Sequence, residues 1–422
     1  MKDSGISWLG QVPEHWTIYT LYQLSNQVRN KNVGLKENNL LSLSYGKIKR
    51  KDIDSPDGLL PASFDGYNII QDGDIVLRLT DLQNDHTSLR VGLASEKGII
   101  TSAYTTVRPF KNEYSKILYY ILHSFDLKKG FYGMGFGVRQ SLNYSEVKGL
   151  KVVFPEENEI SKITEYLDRQ VNKIDSEIAL LKDIVLDYQA LMDSFVYETL
   201  TKGIDPSVGT RESGFFFIKS VPLNAKVMKL KNIVDISDGT HDTPEYVDEG
   251  ENTYPLVTSR CIENGHINVS MANHISKEDY EKINQRSYVE KYDVIMPMIG
   301  TVGNPAIVDT DEKFGIKNVG LFRTHGEEIL GKYVVYLLNS SIVKTQFSLG
   351  QRGGVQNFVS QDKLKNLQII VPDNIEDVVG YLDRKCIAIQ TMLDDKLMLI
   401  SDLENYKRSL IYEVATGKRK VV

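Results

Sequence analysis

Along one stretch of the chain the apolar residues fall at a strict 3,4 spacing: Val171, Ile174, Ile178, Leu181, Val185, Tyr188, Met192 and Phe195, with Ile160, Ile163 and Leu167 leading in. That spacing puts one apolar stripe along a helix and is the seam of a coiled coil. A second stretch repeats it as Cys386, Ile389, Leu393, Lys396, Ile400, Leu403, Lys407 and Leu410, where the two lysines weaken the seam locally and help to set register. A helix of about 45 residues spans roughly 65 Å and cannot bury its stripe alone, so each needs the other as partner. The pattern therefore predicts two long antiparallel helices forming a rigid spacer that holds two related domains apart.

The remaining sequence reads differently. Short β-branched and aromatic runs broken by Gly, Asn and Asp, such as GDIVLRLTD at 73–81, GLASEKGII, NTYPLVTSR and YDVIMPMIG at 292–300, predict mixed α/β domains rich in strands. These runs come in two copies. VPEHWTIYTL at 12–21 aligns without gaps on VPLNAKVMKL at 221–230, and Asp74 corresponds to Asp293. GVRQSLNYSEVKGLKVVFP (137–155) lies over GVQNFVSQDKLKNLQIIVP (354–372), YLDR at 166–169 over YLDR at 381–384, and VYE at 196–198 over IYE at 411–413. Anchors that keep one order point to a tandem duplication of about 215 residues. The expected fold class is α+β: two mixed α/β domains in tandem pseudo-repeat, at 1–155 and 207–372, separated by long spacer helices at 156–206 and 373–422.

Composition narrows the function. With 41% apolar and 25% charged residues the chain is globular, and no apolar run approaches the ~20 residues that span a bilayer. The expected location is cytoplasmic, with no membrane partner. Cys261 and Cys386 show no metal-ligand spacing, and no phosphate-binding loop, HExxH motif or complete catalytic set occurs, so neither a catalytic nor a metal site is expected. The glycine-rich YGMGFG (132–137) leads into a strand instead of opening a cofactor-binding helix. Together with GQRGG (350–354) it reads as a turn that brings backbone close to a ligand such as DNA. The formal charge of -6 argues against strong binding to nucleic acid by the chain alone, yet the acid is concentrated in 156–206, with 5 Lys+Arg against 12 Asp+Glu, and residues 1–155 are net basic.

Polar and aromatic loops supply groups suited to base edges and phosphates. In the first domain these are Tyr45, Lys47, Lys49 and Arg50 of SLSYGKIKRKD; Arg78, Thr80, Asp81, Asn84, His86 and Arg90 of RLTDLQNDHTSLR; Ser102 and Tyr104 of TSAY; and Arg139 and Gln140. In the second they are His241 and Thr243 of DGTHDTP, Arg260 of TSRC, Lys317 and Asn318 of GIKN, and Arg352, Gln356 and Asn357 of GQRGGVQN.

The opening SGISWLGQVPEHWTIYTL, the DGTHDTP and GTVG stretches, the strand-ending prolines before each long helix and the globular-helix-globular-helix order together resemble the specificity (S) subunit of type I restriction-modification systems over the whole chain. The resemblance implies a non-catalytic subunit whose two target recognition domains each read one half of a bipartite, asymmetric site in double-stranded DNA. It further implies that the helices dock two methyltransferase (M) subunits, to which nuclease-translocase (R) subunits add. AdoMet, ATP and Mg would then belong to those partners, and none to this chain. It assigns no base-contact residue, because recognition domains differ from member to member. A coiled-coil DNA-binding adaptor or regulator without a methyltransferase partner is the alternative.

Overall fold

A computed structural model of the chain describes residues 1–54, 61, 63–85, 87–134, 141–263, 265–300, 302–349 and 358–421. The chain divides into two compact units, Met1–Lys182 with Met398–Val422, and Asp183–Leu397. Both are mixed α/β, and the two long helices predicted from the apolar spacing are present as Glu157–Lys202 and Ile375–Ala415.

In the first unit, strands Ser25–Gln27, Thr105–Pro109, Ile75–Leu77 and Val91–Leu93 form an antiparallel sheet in that order. Helix Tyr114–Leu127 buries Ile117, Leu118, Ile121, Leu122 and Phe125. Thr17–Thr20 pairs with Lys151–Phe154, and Leu41–Ser44 with Lys47–Arg50. In the second unit, Asp235–Asp238, Val319–Arg323, Val294–Pro297 and Ala306–Ile307 form an antiparallel sheet in that order. Ala225–Lys229 pairs with Gln368–Pro372, and helix Glu328–Asn339 buries Tyr333, Val334, Leu337 and Leu338. A further sheet there runs Tyr246–Val247, Asn273–Ser276, Thr253–Val257, Gly315–Ile316, the last pair parallel.

The same local chemistry sits at matching places in each unit. Asp74 and Asp293 are buried in the turn before a central strand, where each accepts from a main-chain N–H three residues earlier, Gln71 and Glu290, at 2.9 Å. Their other contacts differ. Asp74 takes two bonds from Arg108 at 2.6 and 2.7 Å, whereas Asp293 accepts from the Thr324 N–H at 2.8 Å and burial raises its pKa. The aspartates of the two YLDR motifs are each held by a lysine and a tyrosine of the helix that packs in the unit's core, Tyr114–Leu127 or Glu328–Asn339: Asp168 by Lys116 (2.5 Å) and Tyr120 (2.7 Å), Asp383 by Lys332 (3.3 Å) and Tyr336 (2.8 Å).

Within each unit the long-helix segments run antiparallel. Asp175 pairs with Lys407 at 2.6 Å in the first, where Ile163 and Val414 line one groove. In the second, Lys385 lies over the Phe195 ring, and Leu200 and Val378 line one cavity. Of the seam residues, Ile174, Ile178, Val185, Cys386, Ile389, Leu393, Ile400 and Leu410 are buried; Val171, Leu181, Tyr188, Met192, Phe195 and Leu403 are half-buried. The half-buried seam lysine Lys407 is accommodated by its bond to Asp175. Toward the end of the first helix burial moves off the 3,4 series to Val196 and Leu200, because there the helix packs on the core of the second unit, against residues such as Val221, Tyr333 and Leu382.

Candidate nucleic-acid interface

In the second unit two distant stretches, DGTHDTP and GIKN, meet. Gly239 makes this possible: a Cβ there would lie 2.5 Å from the Ile316 carbonyl oxygen, so only glycine allows the main chains to come so close. Thr240 N–H donates to Ile316 (3.0 Å) and Asn318 N–H to the Thr240 carbonyl (3.1 Å), with Asn318 in the left-handed region at φ 57°. The side chains then converge. His241 Nδ1 is 3.0 Å from Asn318 Oδ1 and its Nε2 is 3.0 Å from Asp238 Oδ2, while Lys317 Nζ donates to the Thr243 hydroxyl. Asp238, nearly buried, also accepts from Arg286 at 2.6 Å. Thr240, His241, Thr243, Lys282 and Arg286 border an open groove of about 620 Å³. The structure thus gathers His241, Thr243, Lys317 and Asn318 into one basic and amide-bearing surface. Arg260 is exposed on the separate turn Ser259–Cys261, anchored by buried Cys261.

Sequence reading passed over Asp238, Lys282 and Arg286. Asp238 stood inside a quoted motif, and its role becomes visible only when a partner 48 residues away is in place. Arg286 lies in the last turn of helix Lys277–Ser287, which carried no motif of its own.

In the first unit the hairpin 41–50 turns at Tyr45 (φ 47°) and Gly46 (φ 75°), the left-handed pair that a two-residue hairpin turn needs. Tyr45 is 75% exposed at the tip. Lys47 and Lys49 are exposed, Lys47 lying 3.4 Å from Asp175. Arg50 is exposed and gripped by Glu96, down to 2.5 Å. Ser102 is exposed, whereas Tyr104 is half-buried against the cluster of Leu41, Val76 and Ile100.

The 78–85 loop departs from expectation at Arg90. Counted by sequence among the DNA-facing groups, Arg90 is completely buried beneath the loop, with its guanidinium bonded to loop carbonyls. A long cation at the end of an exposed-looking polar run gave no sign of that inward turn. Arg78 and Thr80 are half-buried, Arg78 3.3 Å from Asp85, while Asp81 and Asn84 are exposed and joined by a 2.8 Å bond. Hydrogen bonding from Ser88 holds the Asp85 carboxyl down to about 2. His86, Arg139, Gln140, Arg352, Gln356 and Asn357 lie outside the described residues.

Exposed amide, hydroxyl and basic side chains, braced from below on strand frames, are the groups that a nucleic-acid interface uses. Residues 222–405 match the family model described as type I restriction modification DNA specificity domain. Over those residues the chain is similar to the type I restriction-modification DNA specificity family, the same family that its sequence resembles. A chain of a solved structure concerning complex assembly and conformational transition of the type I R-M system is similar over 97% of this chain and 100% of that one, at 14% identity and a TM-score of 0.64, which speaks to the fold. Further similar structures are a type I restriction-modification S subunit from M. genitalium (15% identity, 96% of each chain, TM-score 0.39) and an HsdS subunit from Thermoanaerobacter tengcongensis (12%, 99% and 100%, TM-score 0.43). No curated protein sequence matches. Among the described residues no helix is long and apolar enough to cross a membrane, and no group of His, Cys, Asp or Glu is placed to hold a metal ion.

Proposed function

We propose that this chain is the recognition subunit of a type I restriction-modification complex, built as a tandem pseudo-repeat whose two recognition domains (1–155 and 207–372) each read one half of a bipartite, asymmetric DNA target. The observation that carries this reading is the DNA specificity domain over 222–405 together with the same Lys–Tyr–Asp clamp on the first unit's YLDR motif. One frame, used twice, carries different loops: among the described residues the DGTH cluster has no counterpart in the first unit, whose reading groups are the 41–50 hairpin and the 78–85 loop.

In this reading the spacer helices dock two methyltransferase subunits, joined by nuclease-translocase subunits. Leu180, Leu186, Ile387, Met392 and Met398 support it, since they are large apolar side chains left exposed on those helices. Partners that close around the duplex would supply much of the phosphate grip, which accounts for a net charge of -6 on a DNA-reading chain. AdoMet, ATP and Mg belong to those partners, and the complex works in the cytoplasm.

The test is exchange of residues 1–155 for the equivalent segment of another such protein, followed by modified-base sequencing of DNA from cells carrying the complex. One half of the methylated motif should change and the other persist. Change in both halves would refute separate readers, and a stable DNA complex without methyltransferase subunits would favour an adaptor or regulator.

A further inference from the structure

We infer that Arg90 is the positioning residue of a base-reading loop, residues 78–85, and fixes Asp81 and Asn84 in the geometry that discriminates bases without touching DNA itself. The inference rests on the reading of the first unit as a DNA recognition domain.

A buried guanidinium is tolerated only when its donors all find acceptors. Here they do, and nearly all of those acceptors belong to one loop. Nη1 donates to the carbonyls of Arg78 (3.1 Å) and Thr80 (2.8 Å), and Nη2 to those of Asp81 (3.2 Å) and Asp85 (2.5 Å). Nε donates to the Tyr132 hydroxyl at 3.0 Å, which in turn donates to the Asp85 carbonyl at 2.9 Å. The Arg90 main-chain N–H is tied to buried Asp126 at 2.6 Å, which fixes the residue itself. The guanidinium also lies 4.8 Å from the centroid of the Tyr132 ring.

The loop needs such a brace. Asp81 sits in the left-handed region at φ 58°, where a residue with a Cβ is strained, and strain of this kind persists only where neighbours over-determine the backbone. Leu79 and Leu82 are buried and tether the loop from within. With the main chain held from below and the apolar side chains turned in, Asp81 and Asn84 are left exposed, with Gln83 between them. A carboxylate accepts from cytosine N4 and an amide pairs with adenine N6 and N7, but either discriminates only from a fixed position. Arg90 is suited to hold them because it offers a planar fork of donors; a lysine would keep the charge and lose the fork.

The experiment compares wild type, Arg90→Lys, Tyr132→Phe and the double variant Asp81→Ala/Asn84→Ala. Each is expressed as the full chain with its partner subunits, and methylated motifs are read by modified-base sequencing. Arg90→Lys should relax base preference within one half of the motif by about fivefold or more, the low end of what one base contact contributes, and leave the other half unchanged. Tyr132→Phe, which keeps the ring and loses the relay hydroxyl, should act in the same half more weakly. Confinement to one half is the signature that general destabilisation would not give. An unchanged motif in an assembled Arg90→Lys complex overturns the inference; if that variant fails to assemble, an unchanged motif with Tyr132→Phe does so. An unchanged motif with the Asp81/Asn84 double variant shows instead that these two side chains do not read bases, which removes the reading beneath the inference.

Discussion

Gly239→Ala tests whether the surface formed by DGTHDTP and GIKN is the reading surface of the second unit. The added methyl would stand 2.5 Å from the Ile316 carbonyl oxygen, 2.6 Å from its carbonyl carbon and 2.9 Å from the Lys317 nitrogen. All three are main-chain atoms, so no side chain can swing aside. The two stretches must separate, which weakens the bonds from Thr240 N–H to Ile316 and from Asn318 N–H to Thr240. Two hydrogen bonds at about 1 kcal/mol each, with an overpacking cost of about 1–3 kcal/mol, put the loss of stability at roughly 3–5 kcal/mol. For a unit of this size that is a fall of several degrees in melting temperature, at about 2–4 °C per kcal/mol. Separation would also part His241 from Asn318 and Lys317 from Thr243. Gly250→Ala is the control, since nothing lies within 4 Å of a Cβ there and its φ is not left-handed; it should change stability by less than about 0.5 kcal/mol. Modified-base sequencing of cells carrying the complex, beside thermal melting of the purified chain, gives both readouts. Gly239→Ala should erode base preference in one half of the motif, whereas Gly250→Ala should not. An unchanged motif at unchanged methylation level in Gly239→Ala would refute the assignment of this surface.

Two further outcomes follow from buried groups. Burial first, and Lys407 second, push the pKa of His123 down to about 4, while an unfolded histidine titrates near 6.5. The unfolded chain therefore binds the proton first, and the first unit should lose about 3 kcal/mol from this group as pH falls from about 6.5 to about 4. Asp126, pushed up to about 6 by burial, acts in the opposite sense between about 4 and 6, so the informative quantity is the difference between wild type and His123→Phe in denaturant melts at matched pH; parallel pH profiles would refute the assignment. Asp168→Ala and Asp383→Ala should each destabilise by about 1–3 kcal/mol, because Tyr120 and Tyr336 lose an acceptor in a largely buried setting, and Asn at either position should cost less. Thermal melts showing a large loss at one position and none at the other would contradict a shared clamp.

Periodicity made the long helices legible, because 3,4 spacing over eight positions has few other readings, and most of the apolar seam residues are buried. Strand runs such as GDIVLRLTD and YDVIMPMIG were legible for a similar reason: a buried aspartate takes the turn before each strand. The candidate site was legible only as residue types. Sequence named His241, Thr243, Lys317 and Asn318 as four separate loop residues; that they form one cluster depends on Gly239 letting main chains 77 residues apart in sequence touch, as the His241–Asn318 contact reports. It also put Arg90 on the surface with Arg78, since polarity alone does not say which end of a polar run turns inward. Burial of the arginine is decided by a set of carbonyl acceptors that exists only after the loop has closed.

Arg90 and Asp238 solve the same problem with opposite charge. Each is a buried or nearly buried ionised group beneath an exposed polar surface, and each has charged or strongly polar partners that keep it from being an uncompensated buried charge. In the first unit the brace is a cation gripping main-chain carbonyls, so it fixes the path of a loop. In the second it is an anion gripping Arg286 and His241, so it fixes side chains. Beneath each surface lie a buried aspartate before a central strand, Asp74 or Asp293, and a Lys–Tyr–Asp clamp. Each brace is rooted in the frame of its own unit, Arg90 through Asp126 of helix Tyr114–Leu127 and Asp238 at the end of strand Asp235–Asp238, so a recognition surface and the frame beneath it belong together. On this physical ground exchange of one whole domain should transfer its half of the target intact, while grafting the 78–85 loop without Arg90 and Tyr132 should not.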